Sequence, residues 1–247
     1  MTDTERKYVL GIDQGTTSSR TILFNHAGEV VSVGQLEHEQ IFPHAGWVEH
    51  DPMEIWDNVR ETIGMALGRA ESNHHEVAAV GITNQRETTI IWDRATGEPV
   101  YNAIVWQDAR SQDIVDRLAA DGGPDRFRAT VGETLSTYAS ITKIMWILEN
   151  VPGVRERAER GELAFGNPDT WLIWNLTGGV YGGVHITDVT NASRTMLMDL
   201  RTLQWREDIC EIAGIPTSLL PEIRSSSEVY GYGRQTGLLP GKPIAGD

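Results

Sequence analysis

One cysteine, Cys210, is the chain's whole complement, so no internal disulfide can form and a disulfide-stapled secreted scaffold is excluded. Long hydrophobic runs are missing as well: nothing approaches the roughly 18 apolar residues that a membrane-spanning helix needs. The opening Met-Thr-Asp-Thr-Glu-Arg-Lys runs into a strand with no apolar signal region, so the expected location is the cytoplasm. In that setting Asn175-Leu-Thr and Asn191-Ala-Ser match the glycosylation pattern by chance. Basic residues are scarce, 21 Lys and Arg against 35 Asp and Glu, and the net charge of −14 would repel nucleic acid or an anionic membrane over most of the surface. Any phosphate site must therefore be local. It is not a P-loop, because Gly237-Leu-Leu-Pro-Gly-Lys-Pro243 has the wrong spacing and no Ser or Thr after its lysine. Nor does Gly231-Tyr-Gly-Arg-Gln-Thr-Gly237 serve a dinucleotide, since its spacing is wrong and it opens no apolar helix. Internal repeats are absent.

What is present is enough apolar sequence, 40% of 247 residues, for a sizeable core in one large domain or two small ones. The organising stretch is residues 9–24. Two apolar runs, residues 8–12 and 21–24, flank a polar centre with one acid, one glycine and four consecutive hydroxyl residues, the pattern of a β-hairpin. Such a tip closes many surface hairpins. Gly15-Thr-Thr-Ser-Ser19 also offers backbone N–H groups and hydroxyls that together can hold phosphate oxygens. Asp13 leaves the first strand just before it, where a carboxylate can hold Mg²⁺ through water. Arg20 begins the return strand with a positive charge.

Residues 29–35 supply a third strand and complete an antiparallel meander. Asp51, Pro52 and Glu54 then read as N-cap, N1 and N3 of a helix with a capping box, and Ile55, Trp56, Val59, Ile63 and Leu67 give its apolar face. Trp47 and His50 read as packing of the loop that enters it. Residues 77–83 form a continuous apolar run, a buried strand reached by helical crossover and so parallel to a neighbour. Its carboxyl end delivers Arg86 and Glu87, the position where open α/β sheets usually place ligands. A guanidinium beside a carboxylate is either a surface ion pair or a donor and acceptor set for neighbouring hydroxyls of a polyol. Further strands are expected over 89–92 and 100–106, the second ending at Trp106. Helices follow over 110–120, around 125–130 and over 141–150, with Tyr138 just before the last. Asp169 is read as a helix N-cap, Trp171 and Trp174 as packing, and Asp188, Asn191 and Arg194 as polar loop residues able to brace the site. Residues 205–213 close the helical list.

Asp13-Gln-Gly-Thr-Thr-Ser-Ser-Arg20 resembles the first phosphate motif of the FGGY carbohydrate kinases, part of the actin and hexokinase superfamily. Gly46-Trp-Val-Glu-His-Asp51, Phe165-Gly-Asn-Pro-Asp-Thr-Trp-Leu-Ile-Trp174 and Thr187-Asp-Val-Thr-Asn-Ala-Ser-Arg-Thr195 are similar to phrases of the glycerol-phosphorylating members. The chain departs from the family at His44-Ala45, and at Ser136-Thr-Tyr-Ala-Ser140, where a Pro-Tyr-Phe phrase is usual. The resemblance implies an α/β, ribonuclease H-like fold: a mixed β-sheet flanked by helices, beginning with the antiparallel meander. It makes residues 1–247 the N-terminal, substrate-binding half, with a C-terminal nucleotide-binding half absent from the chain and the full-length enzyme a homo-oligomer. It implies ATP and Mg²⁺ as cofactors and glycerol as acceptor. Asp13 would organise Mg²⁺, while Thr16, Thr17, Ser18 and Arg20 would meet the nucleotide's phosphates. Arg86, Glu87, Trp106 and Tyr138 would orient the polyol, and Asp247 would bind it and accept its proton. By itself the chain is then expected to be an inactive or weakly ligand-binding half. A pentulose or pentitol kinase of the same family and a non-catalytic actin-like module are the alternatives.

Overall fold

The computed structural model describes residues 6–246. Strands β1 (Tyr8–Gln14), β2 (Ser18–Phe24) and β3 (Val30–Glu37) form the antiparallel meander, with Asp13 opposite Arg20. Alternation works as the pattern requires: Leu10, Ile12 and Leu23 point inward and are fully buried. A short strand β4 (Glu49–His50) precedes helix α1 (Pro52–Arg69). The Asp51 carboxylate accepts from the Met53 N–H and Pro52 occupies the first turn. The expected capping box is only half made, because the Glu54 carboxylate accepts instead from the Glu39 N–H and ties the helix start to the end of the meander. Ile55, Val59 and Ile63 are buried against β2 and β3, with Trp56 and Leu67 half-buried beside them.

Strand β5 (Val77–Asn84) lies parallel to β1, as its continuous apolar run predicts. Between it and the end of the main sheet lies a long insertion. It contains β6 (Ile90–Asp93), β7 (Ala103–Ile104), α2 (Gln112–Ala119), α3 (Arg128–Val131), α4 (Ser140–Asn150) and α5 (Val154–Glu159). It continues with β8 (Leu163–Gly166), α6 (Pro168–Thr177), β9 (Ile186–Asp188), α7 (Val189–Ala192), α8 (Glu207–Ala213) and β10 (Glu222–Arg224). Two two-stranded ladders, β6 with β8 and β9 with β10, hold the insertion together, and a third, β4 with β7, ties it to the segment before α1. The strand expected over 100–106 shrinks to Ala103–Ile104, since β4 offers only two residues to pair with. Asp169 is not the N-cap of α6: Asn167 occupies that position, Pro168 follows it, and the Asp169 carboxylate turns aside to accept from the Thr187 hydroxyl at 2.7 Å.

The chain then returns through β11 (Val229–Tyr232) and β12 (Pro243–Ala245). Strand β12 runs parallel to β5, and β11 antiparallel to β12, giving the mixed order β11-β12-β5-β1-β2-β3. An antiparallel meander continued by two parallel strands is the ribonuclease H-like sheet implied by the resemblance. One apolar core lies between this sheet, α1 and α6; a second lies inside the insertion around α2, α4 and β8. Among the described residues no helix is long and apolar enough to cross a membrane.

Candidate active site

The carboxyl ends of β1 and β5 lie side by side, Gln14 opposite Asn84, and the Gln85 N–H donates to the Gln14 carbonyl at 2.7 Å. From there the chain makes a tight reversal. The Thr88 N–H donates to the Arg86 carbonyl at 2.7 Å, and Glu87 between them has φ +62°, so residues 86–88 form a γ-turn of the rare positive-φ kind. A bulky side chain at such a φ persists only where its surroundings over-determine it. Here they do. The Glu87 carbonyl accepts from the hydroxyls of Thr89 (3.1 Å) and Ser140 (3.0 Å), and the Asn167 amide donates to the Thr88 carbonyl at 2.8 Å. The result places Arg86 outward, exposed, and Glu87 inward with 4% of its side chain exposed.

Arg194, on the 3₁₀ turn after α7, donates through Nε to Glu87 Oε1 at 2.5 Å, and its Nη1 pairs with Glu133. Burial pushes the Glu87 carboxyl above the usual range, and Arg194, Lys143 and Arg86 pull it back. Trp106 follows β7; its backbone N–H donates to the Thr88 hydroxyl at 3.2 Å. Tyr138 meets the Trp106 ring edge-on, with centroids 5.5 Å apart, and the Arg194 guanidinium lies 5.5 Å from the Tyr138 ring centre. Burial and the neighbouring Glu87 charge raise the Tyr138 phenol, so it stays protonated at neutral pH. These residues line a cleft of about 360 Å³ with Thr16 and Gln85.

The hairpin tip reaches this cleft from the other side. The Trp106 indole N–H donates to the Thr16 hydroxyl at 3.0 Å. The Thr16 carbonyl accepts from His38 Nε2 (2.9 Å) and the Gln40 amide (3.1 Å), and His50 Nε2 donates to Gln40 Oε1 at 2.9 Å. Thr17 is exposed at the turn. The four hydroxyls do not share one face: the Ser18 hydroxyl accepts from Gln35, and Ser19 points into the buried side of β2. Arg20 leans along the sheet, its Nε donating to Gln35 Oε1 at 3.1 Å and its Nη1 3.8 Å from the Asp13 carboxylate. Asp13 keeps 44% of its side chain exposed. Asp247 lies outside the described residues.

The profile of the FGGY family of carbohydrate kinases, N-terminal domain, matches residues 8–245. The chain belongs to this family. Its likeness to individual FGGY kinases is extensive: it is 68% identical over 240 residues to a glycerol kinase of Clavibacter michiganensis subsp. michiganensis, covering 97% of this chain and 48% of that protein. A glycerol kinase of Paenarthrobacter aurescens is 65% identical with the same coverage. The chain thus spans about half the length of the curated relatives it matches. Among solved structures, Plasmodium falciparum glycerol kinase with ADP superposes with a TM-score of 0.89 at 38% identity, over 98% of this chain and 49% of that one.

Within the FGGY fold, then, the structure brings together Arg86, Glu87, Trp106, Tyr138 and Thr16, which stand far apart in sequence. Asp13 and Arg20 face each other across the hairpin at a slight remove. Sequence reasoning named Arg194 only as a brace and His50 only as loop packing, and gave no role to Gln85, Glu133, His38 or Gln40. Arg194 was within reach of the reading because it lies in a phrase already singled out; the histidines carry no metal-ligand spacing and so no signal.

Proposed function

We propose that the chain is the acceptor-binding half of an ATP-dependent glycerol kinase, which moves the γ-phosphoryl group of ATP to a terminal hydroxyl and yields sn-glycerol 3-phosphate and ADP. The observation that carries this reading is the pairing of an outward guanidinium, Arg86, with an inward carboxylate, Glu87, under a Trp106–Tyr138 corner. The names of the relatives support the same substrate. Arg86 donates to and Glu87 accepts from neighbouring hydroxyls, while the two rings lie against the carbon backbone, whose C–H edges suit aromatic faces. Orientation of this kind converts an encounter into a fixed geometry and is a large part of phosphoryl-transfer catalysis. Asp247 accepts the hydroxyl proton, by resemblance.

Mg²⁺ usually keeps several waters and takes only one or two carboxylates, so the half-exposed Asp13 fits as its protein anchor, and the ion would supply charge neutralisation on the phosphates. By resemblance the segment Thr16, Thr17 and Ser18, with Arg20, meets the phosphates, through backbone N–H groups as well as hydroxyls. The adenosine pocket is assigned to the part of the relatives' length that these 247 residues do not span.

The test is a titration of the chain with glycerol and with xylulose, following the Trp106 indole N–H by NMR, alongside phosphorylation assays of the longer polypeptide. Glycerol-selective saturation is expected, and Arg86→Ala should weaken glycerol about tenfold, the loss of one hydrogen bond from a charged donor, about 1.5 kcal/mol. ATP use should change little. Equal losses for glycerol and ATP, or preference for xylulose, would remove the assignment.

A further inference from the structure

Lys143 is the fourth residue of α4 and sits within that helix's apolar stripe, with a side chain that is 0% exposed. Its ammonium donates to the carbonyls of Thr137 (2.6 Å), Tyr138 (2.6 Å) and Ala139 (3.3 Å), three donors to three consecutive acceptors. Helical side chains slant toward the N-terminus, so a lysine in the first turn can curl back over the segment that enters the helix. As a helix device this makes little sense. The groups that need capping at an N-terminus are N–H groups, which a lysine cannot satisfy, and a cation there opposes the helix dipole. Ala139 at the N-cap position contributes no side-chain bond either. What the ammonium does hold is the incoming backbone at residues 137–139.

That backbone carries Tyr138, whose residue is 38% exposed. Packing on the ring side is therefore partial, and the backbone is held by the carbonyl clamp, with Ser140 after it anchored to the Glu87 carbonyl. We propose that Lys143 is the positioning residue of the cleft: by clamping the carbonyls of Thr137, Tyr138 and Ala139 it sets the edge-on placement of Tyr138 against Trp106. The consequence for ligand binding rests on the polyol-kinase reading; the clamp itself does not.

The charged groups that face the ammonium are Asp108 and Arg110, from the loop between β7 and α2, and Glu87, from the turn after β5. Burial lowers Lys143 to about 7, with Asp108 and Glu87 opposing the fall and Arg110 adding to it. Below pH 7 three protons meet three carbonyls. Above it the neutral amine keeps two N–H groups, one carbonyl loses its donor, and the Tyr138 segment loosens.

The experiment follows the indole N–H of Trp106, assigned with Trp106→Phe, in ¹H–¹⁵N spectra of the ligand-free 247-residue chain between pH 6 and 9. Wild type is expected to show a transition centred about one unit or less from pH 7. Lys143→Met should hold the signal at the wild-type high-pH position throughout, and should weaken glycerol about tenfold at pH 6, the scale that small misplacements of a positioning group reach. Lys143→Arg, which stays charged, should remove the transition while keeping the low-pH position. The conservative variant carries the test if the methionine variant does not fold. An unchanged Trp106 transition in either folded variant overturns the proposal and leaves Lys143 a structural residue. Absence of any glycerol response in wild type counts against the glycerol reading alone, because the ligand-free titration still judges the clamp.

Discussion

Glu87 is costly at the residue scale twice over, once in its φ of +62° and once in a carboxylate that is 4% exposed. Arg194 offsets the second cost and is itself held by Glu133, so the three side chains act as a unit. Replacing Arg194 by Met strands the Glu87 carboxylate, and a loss of about 3 kcal/mol is expected in urea unfolding, the range seen when one partner of a buried pair is removed. Glu87→Gln should cost less, and the double variant should fall short of the sum by about 1 to 3 kcal/mol. Strict additivity would mean that the two groups do not depend on each other. Arg86 and Glu87 were legible in the sequence because adjacency and a strand end put them where ligands sit. Their opposite directions were not, since a γ-turn at residues 86–88 depends on hydroxyls and amides from Thr89, Ser140 and Asn167. Lys143 was hidden for a related reason: in an apolar stripe, a lysine reads as a solvent-facing interruption.

Two glycines, one at the meander's contact with α1 and one on the exposed face of that helix, separate packing from backbone freedom at the scale of elements. At Gly34, on β3, an added Cβ would lie 2.3 Å from the Thr62 carbonyl oxygen and 2.9 Å from Met65 Cβ. The helix would have to back away, so Gly34→Ala is expected to cost about 1 to 3 kcal/mol. Gly64 lies inside α1 with nothing within 4 Å of its added Cβ, and Gly64→Ala should stabilise by about 0.5 to 1 kcal/mol. Thermal melts of the two variants should move in opposite directions; an unchanged or raised melt for Gly34→Ala would show that the β3–α1 contact can yield without cost. The sequence carried the meander, α1, β5 and α4 well, because each has its own period or cap. Inside the insertion it carried the helices α2, α3, α4 and α8 but not the short strands β8, β9 and β10. Strand β7 is two residues long because its partner is, and the start of α6 turns on Asn167 and Pro168 rather than on the acid that follows.

For the whole molecule, acid sensitivity is set by histidines that the fold keeps neutral. His38 and His50 join the meander to the loop before α1, and His185, just before β9, joins that strand to β8 by bonding to the Phe165 carbonyl and Arg94. Burial lowers His38; burial, with the neighbouring His38, lowers His50 to about 3; burial lowers His185 to about 4, against its bond to the Phe165 carbonyl and with help from Arg94. Unfolded, each titrates near 6.5. As the pH falls below that value the unfolded chain takes up protons that the folded chain refuses, so stability declines. His50 and His185 each contribute about 1.4 kcal/mol per pH unit between their unfolded and folded values, together about 3 kcal/mol per unit, and His38 acts in the same direction. Domains of this kind hold only about 5 to 15 kcal/mol in total, so a large share of the stability is expected to be lost within about two units below pH 6.5. Lys143 acts on the other side. Its folded value near 7 lies below its unfolded value, so the folded chain releases a proton that the unfolded chain keeps, and stability rises as the pH climbs from about 7 toward 10. The urea midpoint should therefore fall steeply from pH 6.5 to 5 and rise gently from pH 7 to 9, while the Tyr138 segment loosens over that same alkaline range. A midpoint that stays level between pH 6.5 and 5 would show that the buried histidines accept protons in the folded state, against their burial and against the Gln85 amide and Arg94 guanidinium that face the second ring nitrogens of His50 and His185.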